Sequence, residues 1–432
     1  MRGNNTYENR IGISYSLLKR KTKGVIKVRP EDFIVKEIWK GVILDFDREV
    51  WLGSGGDFLL VLIEKKDWDT LKIVREISKR LGISRKRIKF AGTKDKRSLS
   101  IQILSIFGVD EDEISKLKIR DVRLKVIGRQ NKPIGLGDLD GNYFEITIRN
   151  VEREDIAIIK DNIEKINQEG VPSFYYFQRF GNRLNNHLVG KELVRRNFEN
   201  AAKIFLTDYL LEKDEESREA RVFLSENWGE FKKALKIFPK KLTYERIILE
   251  HLAKYPRDFV NAMRRLPKEL LKILIHAYQA YLFNIAVSIR GDHIKDVLKG
   301  DIVFECRGWF VDRENPKFAE HISYTENFVA TAFLPGYKAK IAKGFQGDLE
   351  KDLLKKEDIR LEDFYIKQFP EISSEGGRRE VLIRTKIDVR DISKDGLNPG
   401  KFKVKIAFCL MKGCYATSVL RELLVTSFYE IF

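Results

Sequence analysis

The stretch Lys89-Phe90-Ala91-Gly92-Thr93-Lys94-Asp95-Lys96-Arg97-Ser98 sets one carboxylate, Asp95, among four cations, Lys89, Lys94, Lys96 and Arg97. A nearby positive charge favours the ionised form of an acid. A short apolar run, Ile88 to Ala91, leads into it, and Gly92 is expected to let the backbone turn tightly. The pattern predicts the end of a strand running into a loop that presents one anionic oxygen in a basic cleft. A solvated Lys/Asp turn fits the same ten residues, so the rest of the chain must decide.

Upstream, Pro30-Glu31-Asp32 reads as a turn and Phe33 to Ile38 as a strand. Phe58 to Ile63 is an apolar run of strand length. A helix follows, with Asp69 or Thr70 as N-cap, an apolar stripe of Leu71, Val74, Ile77 and Leu81, and Gly82 as its stop. Leu99 to Phe107 is another strand. Strand, helix, strand and key loop together predict a mixed α/β or α+β arrangement. Downstream, Val122 to Val126 is strand-like, and from Phe144 the residues alternate: Phe144, Ile146 and Ile148 on one face, Glu145, Thr147 and Arg149 on the other. Gly135, Gly137 and Gly141 have the wrong spacing for a dinucleotide fingerprint. Asp138-Leu139-Asp140-Gly141 lacks the later Gly and Glu of a calcium loop, and Gly92 to Lys96 is no P-loop.

Beyond Asn150 the texture changes. Glu152 to Gln168 predicts a helix, and Val171 to Gly181 is an aromatic run that reads as core. Helical patterns fill Lys191 to about Arg290, and strand character returns at Asp301 to Phe310 and Ala330 to Phe333. Leu349 to Gly377 is polar and ends in Ser373-Ser374-Glu375-Gly376-Gly377, a boundary signal. After it Phe402, Val404, Ile406, Phe408 and Leu410 share one strand face, and Cys414 to Leu424 reads as a helix with its cap near Thr417 or Ser418. Strand-rich sequence thus flanks a mostly helical middle, as an inserted domain would produce.

The chain has 432 residues, 43% of them hydrophobic, which is enough for a sizeable core. A net charge of +17, spread along the chain, points to a polyanion, with nucleic acid the commonest and an anionic membrane surface the competitor. No stretch is expected to approach the roughly 20 apolar residues that span a bilayer. Met1 to Arg10 is polar with no apolar core after it, so no signal peptide is expected. Three cysteines, Cys306, Cys409 and Cys414, argue against a disulfide framework or a Cys-based zinc site. His187, His251, His276, His293 and His321 contain no i, i+4 pair. No metal is expected, and a reducing cytoplasm fits.

These motifs, taken in order, resemble the TruD family of pseudouridine synthases. The resemblance rests on Lys27 with Pro30-Glu31-Asp32-Phe33-Ile34-Val35, then Phe90-Ala91-Gly92-Thr93-Lys94-Asp95-Lys96. Gly141-Asn142-Tyr143-Phe144, Gln178-Arg179-Phe180-Gly181 and Ala416-Thr417-Ser418-Val419-Leu420-Arg421-Glu422-Leu423 follow. It implies an α+β fold: a circularly permuted pseudouridine-synthase catalytic fold on a mixed β-sheet, with a mainly helical inserted TRUD domain. On that basis residues 1–170 and 377–432 form the catalytic domain and 171–376 the insertion. It implies isomerisation of uridine to pseudouridine in tRNA, usually at position thirteen of the D arm, with precursor tRNA or other RNA as further substrates. It implies Asp95 as nucleophile, Lys27 as its basic partner, and Phe33, Asn142 and Phe144 around the target base. Tyr415 stands where members often carry Phe and keeps the ring. Arg421 and Glu422 are free to pair simply with each other on the last helix. No cofactor is implied, and a cytoplasmic monomer is expected. A buried carboxylate tends to become neutral, so Lys27 is expected to hold Asp95 charged. A non-catalytic RNA-binding protein with a degenerate synthase fold is the alternative. A nucleic-acid methyltransferase lacks its glycine-rich fingerprint.

Overall fold

Period-two alternation builds the frame. The computed structural model describes residues 3–320 and 327–425; His321 lies outside them. Strands Phe33–Trp39 (β1), Phe58–Lys66 (β2), Leu99–Phe107 (β3), Val122–Gln130 (β4), Gly141–Val151 (β5), Asp388–Lys394 (β6) and Phe402–Met411 (β7) form one sheet in the order β6-β7-β5-β1-β3-β2-β4. Two short strands, Val42–Ile43 and Ile88–Phe90, bring it to nine. The β1–β3 pair is parallel and the others antiparallel, so the sheet is mixed. The two halves of the chain meet at β5–β7, where Asn142 pairs with Leu410 and Phe144 with Phe408.

Directly paired residues point to the same face. One face therefore carries Phe33, Val35, Phe144, Ile146 and Phe408 at one end. At the other end Val61, Ile63 and Leu104 lie under the helix Thr70–Arg80 (α1). Between these apolar ends the face is polar, with Glu37, Lys65, Ser100 and Gln102 all buried. The opposite face is covered by Leu60, Leu62, Ile101 and Ile103 among others. Helix α1 starts as expected, with Asp69 accepting from the N–H groups of Leu71 and Lys72. Its buried stripe is Thr70, Ile73, Val74 and Ile77, whereas Leu71 is exposed. Val74 and Ile77 of the expected stripe are buried and Leu81 packs against the same core, but Leu71 was wrongly included and the polar Thr70, which faces inward to a hydrogen-bond network, was passed over.

Helix Asp155–Glu169 (α2) begins a turn later than expected, and the helical region from Asn186 to Arg290 follows. The aromatic run is core: Phe174, Tyr175, Tyr176, Phe177 and Phe180 are all buried. Helix Lys268–Arg290 (α3) is long and apolar enough, by length and composition, to cross a membrane, against the expectation from sequence. It is the centre of the helical region, with 67% of its apolar window buried inside the protein. Its Gln279 and Asn284 spend their amides on the carbonyls of Pro335, Tyr175 and Ile11.

The middle is not helical throughout. Ile302–Arg307, Phe310–Phe318, Phe328–Leu334 and Gly377–Glu380 form a four-stranded antiparallel sheet, and the helix Gly344–Lys356 runs into the polar stretch. Gly377–Glu380 carries that sheet just past the expected boundary. The last helix is Ala416–Leu423 (α4), with Tyr415 rather than Thr417 or Ser418 at its N-cap. Near the other terminus, Ile11 and Gly12 hydrogen-bond to α3 and Leu18 to Glu422 of α4. The first segment therefore crosses from the helical region to the sheet.

Candidate active site

The segment before β1 is tied to the sheet by the pairing of Val25 with Arg149. Arg149 forks onto Asp32, with Nε donating to Oδ2 at 2.8 Å and an Nη to Oδ1 at 2.7 Å. Its third nitrogen donates to Asp395 at 2.7 Å. Bidentate guanidinium–carboxylate pairs fix orientation as well as charge. The Pro30-Glu31-Asp32 turn is therefore locked onto β5, and with it a residue three positions upstream of Pro30.

That residue is Lys27, which holds a left-handed backbone with φ of 55°. Such a conformation costs a non-glycine residue on the order of 1–3 kcal/mol and persists where surrounding contacts over-determine it. Here it turns the side chain inward. The ammonium donates to Asp95 Oδ2 at 2.9 Å and lies 4.3 Å from the centre of the Phe33 ring. The lysine is 5% exposed, whereas the Asp95 side chain is 44% exposed. The cation is thus the buried partner and the carboxylate the half-exposed one, so the loop presents its anionic oxygen to solvent and the burial that was expected to neutralise it is absent. Desolvation pulls the Lys27 pKa below the usual lysine value, the Asp95 charge and hydrogen bond oppose it, and nearby Arg97 adds to the lowering.

The loop under Asp95 is anchored at almost every residue. Gln102 donates its amide to the Gly92 carbonyl at 3.3 Å. The Lys94 N–H donates to Thr70 Oγ1 at 3.0 Å, and that hydroxyl donates on to Gln102 at 3.0 Å. Ser98 Oγ donates to the Asp95 carbonyl at 2.7 Å. The Lys94 ammonium turns away from Asp95 and donates to Glu37 Oε1 at 2.6 Å. Their side chains are 7% and 0% exposed. The parallel ladder between β1 and β3 ends at Lys36–Ile101, and beyond it the second Glu37 oxygen accepts the Ile103 N–H at 2.9 Å. The Glu37 carboxylate is therefore a wedge between two strands that roots the residue next to Asp95. Lys65 lies buried nearby, its ammonium on the Trp68 carbonyl. Burial and the Lys94 charge bring its pKa down to about 8.

Two details of the sequence reading change. Of the four cations, Lys94 is spent on Glu37 and Lys89 is exposed on the short Ile88–Phe90 strand. Gly92 has no left-handed backbone, and a Cβ there would meet only ordinary contacts at 3.7 Å. A glycine that does have a steric reason is Gly141, where a Cβ would lie 2.3 Å from the Leu410 carbonyl oxygen.

Phe33 and Phe144 form the apolar floor. Their ring centres are 6.1 Å apart in an edge-on arrangement, and Phe144 stacks on Phe408 at 5.5 Å. Phe33 is 2% and Phe144 7% exposed. Asn142, two residues before Phe144 on the same face, pairs with Glu37 on one side and Leu410 on the other. Its side-chain oxygen is buried with no hydrogen-bond partner among the described residues, which is an opening for a ligand donor. Tyr415 packs against Tyr175, 6.4 Å between centres, and Tyr175 in turn carries the Arg379 guanidinium at 4.4 Å. Arg421 pairs with Glu422 at 2.7 Å and also with Glu8. So Lys27 reaches both Asp95 and Phe33, Phe144 and Asn142 continue that face of the sheet, and Tyr415 packs on Tyr175.

The anchors Glu37, Lys65, Thr70 and Gln102 escaped the sequence reading. A signal for two of them exists: period two puts Glu37 on the face of Phe33 and Val35, and Lys65 on the face of Val61 and Ile63. A charge on an apolar face has to find a partner.

This arrangement can present an ionised carboxylate, held by a buried ammonium, to a planar group lying over an aromatic floor. Comparison with known proteins agrees in extent as well as in kind. A family model described as tRNA pseudouridine synthase D (TruD) matches residues 10–423. A probable tRNA pseudouridine synthase D from Methanosarcina mazei is 41% identical, with 96% of each chain covered. One from Methanopyrus kandleri is 39% identical over 86% of each. The crystal structure of a putative tRNA pseudouridine synthase D from Methanosarcina mazei superposes with a TM-score of 0.83 at 39% identity, covering 98% of this chain and 99% of that one.

Proposed function

Given that the chain belongs to the TruD family of tRNA pseudouridine synthases, we propose that it isomerises a D-arm uridine of tRNA, at position thirteen, with Asp95 as the nucleophile. The observation that carries this reading is the half-exposed Asp95 carboxylate held at 2.9 Å by the buried Lys27 ammonium.

The reaction breaks the bond between N1 of uracil and C1′ of ribose, turns the base, and joins C5 to C1′. The C5 hydrogen then leaves as a proton. Asp95 starts it either by attacking the sugar carbon or by removing the C2′ proton to give a glycal. In both routes the Lys27 ammonium, donating to Oδ2 at 2.9 Å, holds the carboxylate in place until it acts. The target nucleotide has to leave its stack, at a cost of a few kcal/mol. Ring contact with Phe144 returns about 1–3 kcal/mol of that. The unpartnered Asn142 oxygen accepts a uracil N–H and keeps the detached base near the sugar. Three cysteines with no disulfide among the described residues suit a cytoplasmic protein, and we take it to act as a monomer.

The test uses transcribed tRNA labelled with tritium at uracil C5. Wild-type protein should release tritium to water from one site per molecule, and a transcript with cytidine at position thirteen should release none. Release from a different site would overturn the D-arm assignment. Binding without release would favour a non-catalytic RNA-binding role.

A further inference from the structure

The segment Lys19-Arg20-Lys21-Thr22-Lys23-Gly24-Val25-Ile26-Lys27-Val28-Arg29 has six cations in eleven residues and no acid. Near its end stands Lys27, which holds Asp95. We propose that this strap is the track on which the RNA strand flanking the target uridine lies, with Lys19, Arg20, Lys23 and Arg29 as its phosphate contacts. The inference rests on the tRNA-modifying reading above and adds to it a located RNA-binding surface.

The backbone is pinned on both sides. Thr22 pairs with Leu424: its N–H donates to the Leu423 carbonyl at 3.1 Å, and its own carbonyl accepts from Val425 at 2.8 Å. Val25 exchanges hydrogen bonds of 2.9 and 2.8 Å with Arg149 of β5. Asn162 of α2 donates to the Arg20 carbonyl at 2.8 Å. A Cβ on Gly24 would come within 2.6 Å of Ile148, so the strap lies flat on the sheet there. A surface fixed before binding loses little freedom when a ligand arrives.

Four of the six strap charges are unspent, Lys27 being paired with Asp95 and Lys21 half-buried. Lys19, Arg20, Lys23 and Arg29 are exposed, and among the described residues none has a carboxylate within 4.0 Å. The acids that follow are already engaged: Glu31 pairs with Lys66, and Asp32 is buried under Arg149. Val25 and Val28, 41% and 45% exposed, lie between the cations and offer apolar contact to sugars. At about 3.3 Å per extended residue, Lys23 stands roughly 13 Å along the chain from Lys27. Free cations, solvent-facing aliphatic groups and an ionised site at one end suit a phosphodiester chain better than a protein partner.

The experiment neutralises all four cations to glutamine and leaves Lys27 intact. A control variant neutralises four exposed cations of the helical region, Arg218, Lys232, Lys236 and Lys240. A charge-preserving variant exchanges Lys for Arg, and Arg for Lys, at the four strap positions. Dissociation constants for unmodified tRNA are measured against salt. Each lost phosphate contact should flatten the log–log slope by about 0.7 to 0.9, so the strap variant should be shallower by about 3. The control should match wild type, and the charge-preserving variant should recover most of the slope. In steady state the loss should fall on KM more than on kcat. A strap variant with the slope and KM of the control would overturn the proposal. So would one that keeps its tRNA affinity but loses binding to phosphatidylserine vesicles. Inactivity of the wild-type protein would instead count against the catalytic reading, because the salt slope is measured without turnover.

Discussion

Replacing Glu37 by glutamine keeps the shape of the wedge and removes its charge. The amide oxygen can still accept the Ile103 N–H, so the β1–β3 contact has a partner. What is lost is the ion pair with Lys94, made at 2.6 Å by side chains that are 0% and 7% exposed. Removing one partner of a buried pair costs about 3–5 kcal/mol, because the other charge is left in low dielectric. Here the Lys27 and Lys65 ammonium groups are buried in the same wall. The cheapest relief is for Lys94 to swing toward solvent and take its backbone along, which loosens the loop at Asp95. A misplacement of about 1 Å can cost about 100-fold in rate. The expected result is a kcat for tritium release lowered about 100-fold, with the dissociation constant for tRNA within about threefold of wild type. The double variant Glu37→Gln/Lys94→Gln removes both charges and leaves two amides in contact, so it should regain about tenfold, a coupling of about 1.4 kcal/mol. Thermal melting of each variant sets the assay temperature well below unfolding. A Glu37→Gln protein with wild-type kcat, or a double variant slower than the single one, would refute a positioning role for this pair.

Desolvation lowers the Lys27 pKa, so the pairing that needs its proton should be lost as pH rises, at a pH below the ordinary lysine value of 10.5. The alkaline limb of the pH–rate profile should fall there, and in Lys27→Arg, whose guanidinium keeps its proton, it should move up or vanish; an unmoved limb would belong to another group. Phe144→Leu removes part of a buried ring and should cost about 1–3 kcal/mol of stability. If the base stacks on Phe144, its rate should drop by the factor equivalent to about 1–3 kcal/mol, and a wild-type rate would leave Phe144 a core residue alone.

Much of the sheet is legible because alternation and apolar runs report local geometry: β1, β2, β3 and β7 stand where their patterns put them. The loop at Asp95 was legible as a loop, but the residues alone assigned its charges by proximity in sequence, and only the family resemblance offered Lys27 as the partner of Asp95. Lys94 sits next to Asp95 in the chain and serves Glu37, 57 residues away. Lys27, 68 residues from Asp95, serves Asp95. Pairing of that kind is set by register and by which side chain points inward, and a linear pattern carries neither. Thr70 was missed for a related reason: hydropathy ranks a threonine below a leucine, while a buried hydroxyl with two partners outranks an exposed leucine. The resemblance named Phe33, Asn142 and Phe144 as a group, and their register across β1 and β5 is what places them on one face.

The most direct measurement of the central claim is single-turnover tritium release by Asp95→Asn, with tRNA affinity measured on the same preparation. The carboxylate is proposed to act in the chemical step and to bind no phosphate. Asp95→Asn should therefore release no tritium above background while its dissociation constant stays within a few-fold of wild type. Release at the wild-type rate by the folded variant would contradict the assignment of Asp95 as the group that begins the reaction.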